Sequence, residues 1–478
     1  MTRTFLVITL AIITIMASAQ SELDALRYSK QNPIGTARFA AMGGAFGSLG
    51  GEFSGLSSNP AGIGMYQFSE LTFTPNFNLN TSKSYYNNSQ SSSYQSDVSI
   101  GNLGLILTMP KNNTSWKRIN IGIGWNQLAN YNNSIQVNGT SKSSSIVDRI
   151  LEITNGTLTG ELINGTGNTY SQMAWNTYLI DPLFNNNNLI DGEYISNFSS
   201  GPKVQAKSIT SSGNMNEFTF AIGGTYKERL YIGGAIGMPT INYYEYSEYT
   251  EYELSSDTSN NLRQMSFSEE ISAYGTGYNL KIGAIYRLSE KTKIGGALHT
   301  PTFFNIKEDY NTSITTFFKD STLEYSMGYL TPFHYDLITP LKASISASTI
   351  FNNIIISAEY ELVDYSTTKY FTTNFDQENQ VISDIYQKTE NIKIGTELNI
   401  KPFILRAGYS NYGSPTKEEN TNKESFCYGI GINNGNYFID LAYVLSQGSD
   451  RHLLYAENNT IELINTNHTI LFTLGLRY

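Results

Sequence analysis

HTILFTLGLRY, His468–Tyr478, closes the chain and alternates at every step. Even positions read His468, Ile470, Phe472, Leu474, Leu476 and Tyr478; odd positions read Thr469, Leu471, Thr473, Gly475 and Arg477. A period of two marks a strand whose two faces meet different surroundings. Tyr437–Ser446 repeats the pattern, with Tyr437, Ile439, Leu441, Tyr443 and Leu445 on one face and Asp440 and Ala442 on the other. So does Phe426–Asn433, where Phe426, Tyr428, Ile430 and Ile432 stand opposite Cys427, Gly429 and Gly431. The second face is small or charged, so it is not a second core.

About fourteen such runs follow when each alternating segment is read as one strand. They start near Leu71, Gly101, Ile119, Glu217, Leu230, Ser266, Thr292, Leu337, Ile354, Asn391, Phe403, Ser425, Tyr437 and Asn465. Short turns near 227–229, 289–291, 352–353, 401–402 and 433–436 alternate with longer polar loops at 80–97, 311–325 and 411–424. Even strand number with that alternation describes an all-β fold, a transmembrane antiparallel β-barrel. A soluble sandwich or propeller would share an inner apolar face and lacks this alternation. Lipid offers the backbone no hydrogen-bond partner, so a spanning sheet must close. The 34 tyrosines and 24 phenylalanines fit aromatic girdles, with Tyr360, Tyr409, Tyr443 and Tyr478 placed for headgroup level.

The first nineteen residues read as a signal peptide: Arg3, an apolar run Phe5–Met16, then Ala17-Ser18-Ala19 as the cleavage site. The run is too short to span a membrane. Export follows, with a mature start at Gln20 and a cell outer membrane location. The lone cysteine, Cys427, allows no intrachain disulfide. Residues 20–69 are glycine-rich and nearly uncharged from Ala37 to Tyr66, ARFAAMGGAFGSLGGEFSGLSSNPAGIGMY. Such a segment has no core of its own and needs a container. Fourteen strands enclose more room than side chains fill, so 20–69 is expected as a hatch in the lumen of a barrel spanning 70–478. Both barrel termini are then periplasmic, and the longest loop, 132–213, is extracellular.

Ala37-Arg38, Met42-Gly43-Gly44-Ala45-Phe46 and Asn59-Pro60-Ala61-Gly62 together resemble the hatch signature of the FadL-type long-chain fatty acid outer-membrane transporters. Further elements resemble that family in order: Gly275–Asn279 leading into Lys281–Tyr286, Thr300-Pro301-Thr302, Thr339-Pro340-Leu341-Lys342, Val363-Asp364-Tyr365-Ser366, Arg406-Ala407-Gly408-Tyr409 and Leu474–Tyr478. The resemblance covers essentially the whole mature chain and is similar in style to the family's Bacteroidetes branch. Glu52, Ser54 and Gly55 depart from it, standing where the family carries Asp followed by Ser-Ala. The resemblance implies passive uptake of a hydrophobic molecule such as a fatty acid. It implies capture outside, a pocket in the barrel, and lateral exit into outer-membrane lipid through a gap in the third strand.

The residues offer a place for each step. Ile146–Ile153 is an amphipathic helical pattern capped by Ser144 or Ser145. Ile146, Ile150, Leu151, Trp175, Leu179 and Phe184 form an apolar cluster that either captures ligand or packs as a lid. On the lumen face, Lys281, Arg287, Lys342, Lys393, Arg406 and Arg477 share a parity with Glu217, Glu359, Glu361, Glu397 and Asp440. Arg406 or Lys393 could hold a carboxylate; the alternative is that these charges pair with one another. In the third strand, Gly122 and Gly124 leave the inner face bare and Asn126-Gln127 breaks the alternation, as a bulge requires. Asn59, Pro60, Ala61 and Gly62 are expected to gate that strand, or to be an ordinary turn.

No cofactor, metal or catalytic group is expected. None of His299, His334, His452 and His468 stands at ligand spacing to another. No serine lies in a nucleophile elbow; an outer-membrane phospholipase around lumen-facing His299 would need a triad that only geometry can reveal. A net charge of −10 leaves no nucleic-acid footprint. The alternative to transport is a plugged barrel acting as an adhesin or serving a secretion machine, with the acidic tyrosine run Tyr243–Glu253 as a protein contact; the sequence names no protein partner.

Overall fold

The computed structural model describes residues 22–111, 115–142, 144–198, 201–254, 261–327, 332–418, 421–455 and 460–478. The expected leader, 1–19, lies outside the described residues. Fourteen antiparallel strands close on themselves. They are β1 (Glu70–Tyr86), β2 (Ser89–Pro110), β3 (Trp116–Asn130, continued by Asn133–Ser141), β4 (Lys203–Tyr226), β5 (Leu230–Glu253), β6 (Leu262–Arg287) and β7 (Thr292–His299, then Phe303–Phe318). They continue as β8 (Thr322–Met327, Phe333–Ile338, then Lys342–Phe351), β9 (Ile354–Asp364, then Lys369–Tyr370), β10 (Lys388–Ile400), β11 (Phe403–Tyr412), β12 (Lys423–Asn433), β13 (Tyr437–Leu453) and β14 (Thr460–Arg477). The β1–β14 ladder runs from Glu70–Arg477 to Tyr85–Glu462 and seals the sheet. Each strand start read from the alternation falls in a different strand.

Parity decides which side chain meets lipid. In β14, Ile470, Phe472, Leu474 and Leu476 are 39–56% exposed, whereas Leu471 and Thr473 between them are fully buried. Breaks in the strands have local causes. Pro301 interrupts β7 and Pro340 interrupts β8, because proline brings no N–H to the ladder. The two breaks lie side by side: Thr339 N–H donates to the Thr302 carbonyl at 3.0 Å, and Thr302 N–H to the Thr339 hydroxyl at 2.9 Å.

Three expected loops are strand instead. Residues 80–97 form the end of a β1–β2 hairpin, turned by Asn87 and Asn88 at φ +45° and +64°, the left-handed pair that a two-residue hairpin turn needs. Residues 311–325 lie mostly in β7 and the start of β8, and the expected loop 132–213 begins and ends as strand. All three are Ser-, Thr- or Asn-rich, and their buried apolar residues, such as Tyr86, Ile135, Val137 and Ile314, are too few to give a sustained alternation. What remains between Ser141 and Lys203 is a cap: helices α3 (Ile146–Thr154), α4 (Thr159–Ile163) and α5 (Thr169–Asn176), and a separate hairpin, Ile180–Asn185 with Asn188–Ser196. Ser145 caps α3, accepting from Val147 N–H at 3.1 Å while its own N–H donates to Asp148. Preceding the barrel, α1 (Glu22–Ser29) and α2 (Ala37–Ala41) and two short 3₁₀ turns, Ser54–Ser57 and Pro60–Met65, fill the lumen. A sixth helix, Asp376–Ile385, packs over α1 from the β9–β10 connection.

Where the hatch comes closest to the wall, the wall carries glycine. A Cβ on Gly233 of β5 would overlap the Pro60 carbonyl, and one on Gly408 of β11 would overlap Gly43 N. Backbone therefore rests on backbone, and neither position tolerates any other residue without displacement. Phe53, Leu56 and Ile63 then bury against Ile106, Ala221 and Ala235. Gly233→Val is expected to push Pro60–Ala61 off the wall. The barrel should still show a heat-dependent shift in electrophoresis, while single-channel conductance in a planar bilayer rises. Conductance equal to that of the unsubstituted protein would refute this contact as what seats the hatch.

Candidate functional site: a luminal cavity beside a stoppered seam

The β2–β3 ladder runs from Pro110–Arg118 to Asn102–Asn126 and ends there. Beyond it, Ser89–Ile100 of β2 pair with β1 alone. Past a bulge between Gln127 and Ala129, β3 pairs only with β4. The parity break at Asn126-Gln127 is thus a bulge at the point where two strands part. The continuation of β3 then crosses the polar inner face of the β1–β2 hairpin. Ser93 donates to the Ser134 carbonyl at 2.6 Å, and Ser82 to the Asn133 side chain at 2.9 Å.

The hatch supplies what the ladder lacks. Asn32 N–H donates to the Leu128 carbonyl at 2.8 Å and Ile34 N–H to the Gln127 carbonyl at 3.1 Å. A Cβ on Gly101 of β2 would stand 2.9 Å from the Gly35 carbonyl and 3.6 Å from the Ile34 side chain. Residues 32–35 therefore occupy the seam between Gly101 and Gln127. Gly35, at φ +67°, makes the turn out of it. Asn126 adds side-chain ties, accepting from Ser54 Oγ at 3.1 Å and donating to Ser57 Oγ at 3.2 Å.

A cavity of about 420 Å³ adjoins this stopper, within the size range of small-ligand pockets. Leu26, Pro33, Ile34 and Ala40 of the hatch floor it, and Val444 and Leu471 wall it on the barrel side. Lys30 and Lys423 line it with no carboxylate in ion-pair contact among the described residues. Burial lowers the Lys30 ammonium from the usual lysine range, with Asp450 as its counter-charge. Arg27 and Tyr131, which also line the cavity, belong to an aromatic cluster: Tyr28 meets Tyr131 and Tyr243 edge-on, and Arg27 lies 4.2 Å above the Tyr243 ring.

The expected gate residues are divided by this geometry. Gly122 and Gly124 do face inward, but Ile63 and Phe53 cover them. The turn Asn59–Gly62 was expected to gate β3; instead Pro60 and Ala61 lie against Gly233 of β5, Asn59 against Gly283 of β6, and Gly62 against Gly50 of the hatch itself. Asn59 Nδ2 donates to the Gly47 carbonyl at 2.7 Å and its Oδ1 accepts from Ala61 N–H at 3.0 Å. That turn is an anchor. The segment at the seam is the other N-P-x-G in the chain, Asn32-Pro33-Ile34-Gly35. Its repeat of the Asn59–Gly62 pattern was the sequence signal that could have found it.

The expected ligand residues also separate. Ile146, Ile150 and Leu179 are buried in the cap's own core with Met173, Met265 and Leu463, and Leu151 and Trp175 pack against that core; Phe184 is 58% exposed on the hairpin. Arg406 is held by Glu397 at 2.7 Å and Asp440 at 2.6 Å, and Lys393 by Glu359 at 2.9 Å. Lys281 pairs with Glu217, Arg477 with Glu70 at 2.7 Å, and Lys342 donates to Gln31 at 3.0 Å. Arg38 from the hatch joins Glu397 at 2.9 Å. His299 rests on the Ser58 carbonyl at 3.1 Å. Lys393 alone of these pairs also reaches the cavity wall.

The chain is similar in fold to a Pseudomonas aeruginosa FadL homologue, with a TM-score of 0.56 and 11% sequence identity over 94% of this chain and 99% of that one. It is similar to the P. putida toluene transporter TodX at a TM-score of 0.51 and 12% identity, over 94% and 99%. No family model and no curated protein matches the sequence. The fold is that of the FadL-type barrels, which the sequence resemblance had implied.

Arg406→Met leaves Asp440 as an uncompensated buried charge and Glu397 with Arg38 alone, a loss of about 3–5 kcal/mol. A lowered urea midpoint with unchanged binding of a hydrophobic probe is expected; lost binding at an unchanged midpoint would make Arg406 a ligand group instead. Glu52 in the hatch gives a pH dependence. Burial raises its carboxyl to about 7, against the counter-pull of Arg38. Its folded pKa lies above its unfolded one, so the neutral carboxyl favours the seated hatch at low pH, and that contribution fades as pH rises through about 7. Conductance should climb across that interval, and Glu52→Gln should flatten the climb.

Proposed function

We propose that the chain is an outer-membrane channel for passive uptake of hydrophobic molecules, and that a fatty acid or similar amphiphile is its substrate. The observation that carries this reading is the adjacency of the cavity to the seam at β2–β3, with one hatch segment, 32–35, separating them. In this orientation the long-loop end is extracellular and both barrel termini are periplasmic. Straight passage to the short-turn end would require dislodging a hatch packed backbone to backbone on β5 and β11. Passage sideways requires moving only the residues that replace the missing ladder. An apolar solute can use such an opening because it leads into hydrocarbon; a polar solute gains nothing by entering it. Lys30 and Lys423 favour a substrate with an anionic head, held by charge-assisted hydrogen bonds, while its tail meets Leu26, Pro33, Ile34 and Leu471.

Exit control is assigned to Asn32–Gly35, with Asn59–Gly62 as the fixed anchor. Ile34→Cys with Gly101→Cys, in a Cys427→Ala background, should form a disulfide across the seam. Uptake of a labelled long-chain fatty acid by cells should fall when the bond is formed and recover on reduction. Equal uptake in both redox states, with the bond shown by mass spectrometry, would rule out the lateral route. Lys30→Met is expected to weaken binding of the carboxylate about tenfold, in line with a charged hydrogen bond, while a neutral alkane binds as before.

A further inference from the structure

The lipid-facing wall carries a trough of about 840 Å³ across β3–β7. Ile222, Ile232, Ile282 and Leu298 wall it, and Gly234, Ala284 and Gly296 form its floor. The inward glycines of these strands are explained by the hatch; Gly233 and Gly283 lie directly under it. The outward ones are not. A Cβ on Gly234 would meet only the Lys281 carbonyl within 4 Å, at 3.7 Å, and one on Gly296 only the Ser344 carbonyl, at 3.6 Å. Nothing in the chain fills the space those side chains would take.

The lower end of the trough opens at the short-turn rim. Trp116 lines it, with its ring edge-on to Tyr226 at 5.4 Å, and Lys227 lies 5.3 Å above the Tyr226 ring. Aromatic rings of this kind mark headgroup level. Gly234 stands four residues above the β5 start at Leu230, or about 13 Å along a strand. The trough therefore runs from headgroup level into hydrocarbon. Beneath it the rim is basic. Lys111, Lys117, Lys227, Arg229 and Lys291 are all exposed, against the two carboxylates Glu228 and Glu290. Backbone bonds hold the rim together: Lys227 N–H donates to Ser115 at 2.8 Å and Lys111 N–H to Lys117 at 2.9 Å. The turns under the other half of the barrel, 352–353, 401–402 and 434–436, carry only one cation, Lys401.

We propose that this trough is a binding site for a phospholipid with an anionic headgroup: one acyl chain lies on Gly234 and Gly296, and the phosphate meets Lys117, Lys227 and Arg229. The occupant follows from the position, since the wall faces hydrocarbon, and from the charge below it. A cationic rim at a membrane surface contributes on the order of 1 kcal/mol per Lys or Arg towards anionic lipid. The site is separate from the cavity and does not depend on what the barrel transports.

The test is native mass spectrometry of the whole barrel released from detergent, with dioleoylphosphatidylglycerol or dioleoylphosphatidylcholine added at equal concentration. The unsubstituted protein should keep one phosphatidylglycerol and keep it at least about fivefold better than phosphatidylcholine. Gly234→Leu with Gly296→Leu fills the trough and should abolish retention of both lipids while the heat-dependent shift of the barrel persists. Lys117→Gln with Lys227→Gln and Arg229→Gln leaves the trough intact and should remove the headgroup preference alone. Undiminished retention in the filled variant, or no preference between the two lipids in the unsubstituted protein, would overturn the site.

Discussion

A backbone amide in hydrocarbon must find a partner within the protein, and the rest of this structure depends on how that demand is met. Closure of β1 on β14 meets it around the wall. The demand explains why the breaks in β7 and β8 sit beside each other: where Pro301 and Pro340 remove donors, Thr302 and Thr339 bond across the gap. It also gives the β2–β3 seam its meaning. There the carbonyls of Gln127 and Leu128 lose β2 and are taken up by the N–H groups of Ile34 and Asn32. The hatch is therefore not only a filling for the lumen. At one place it is part of the ladder, and moving it exposes two carbonyls.

The lumen shows the same bookkeeping for charge. Inward-facing cations and anions are buried against a hatch with few charges of its own, and each ion removed from water requires a compensating partner. Arg406 between Glu397 and Asp440, and Lys393 with Glu359, satisfy this on the β9–β13 wall. Arg38 extends the network into the hatch through Glu397. These pairs fix where the hatch sits, because moving Arg38 would break a bidentate contact to a carboxylate already committed to Arg406. The cavity is where the pairing lapses. Lys30 and Lys423 face it without a carboxylate in contact among the described residues. A site that prefers an anionic ligand needs such a local deficit of negative charge.

Period-two alternation is legible wherever one face meets lipid, because the two faces then differ in kind. That is why the spans of β10–β14 could be placed from residues such as Ile470 and Thr473, and why inward Lys281, Arg406 and Glu217 were assigned to the lumen. The signal vanishes beyond the membrane. Ser91, Ser93, Ser82 and Ser84 alternate with other polar residues, since one face meets water and the other the backbone of β3, so the β1–β2 hairpin read as a loop. The cap was legible as an amphipathic helix at Ile146, but sequence could not say what its apolar face met; it packs against Met265 and Leu463. The sequence read Asn59–Gly62 as a tight turn, yet which strand it met depended on the glycines of β5 and β6, residues far from it in the chain. Nothing local to a turn specifies its distant contact.

Glycine has two opposite uses in the same strands, and separating them is what makes the outer surface informative. On the inner side, Gly233 and Gly283 are empty because the hatch occupies the place of their side chains. On the outer side, one residue further along each strand, Gly234 and Ala284 are small and face outward, and a Cβ on Gly234 would meet only the Lys281 carbonyl. Strand geometry alone does not require this: glycine weakens a strand, and a lipid-facing position ordinarily carries a β-branched or aromatic residue that packs on its neighbours. Ile222, Ile232 and Ile282 follow that rule around the rim of the trough, and its floor departs from it. A hollow in the lipid-facing wall above a basic rim offers its shape to something outside the chain. In a membrane, the molecule with one apolar tail and one charged end at that depth is a lipid.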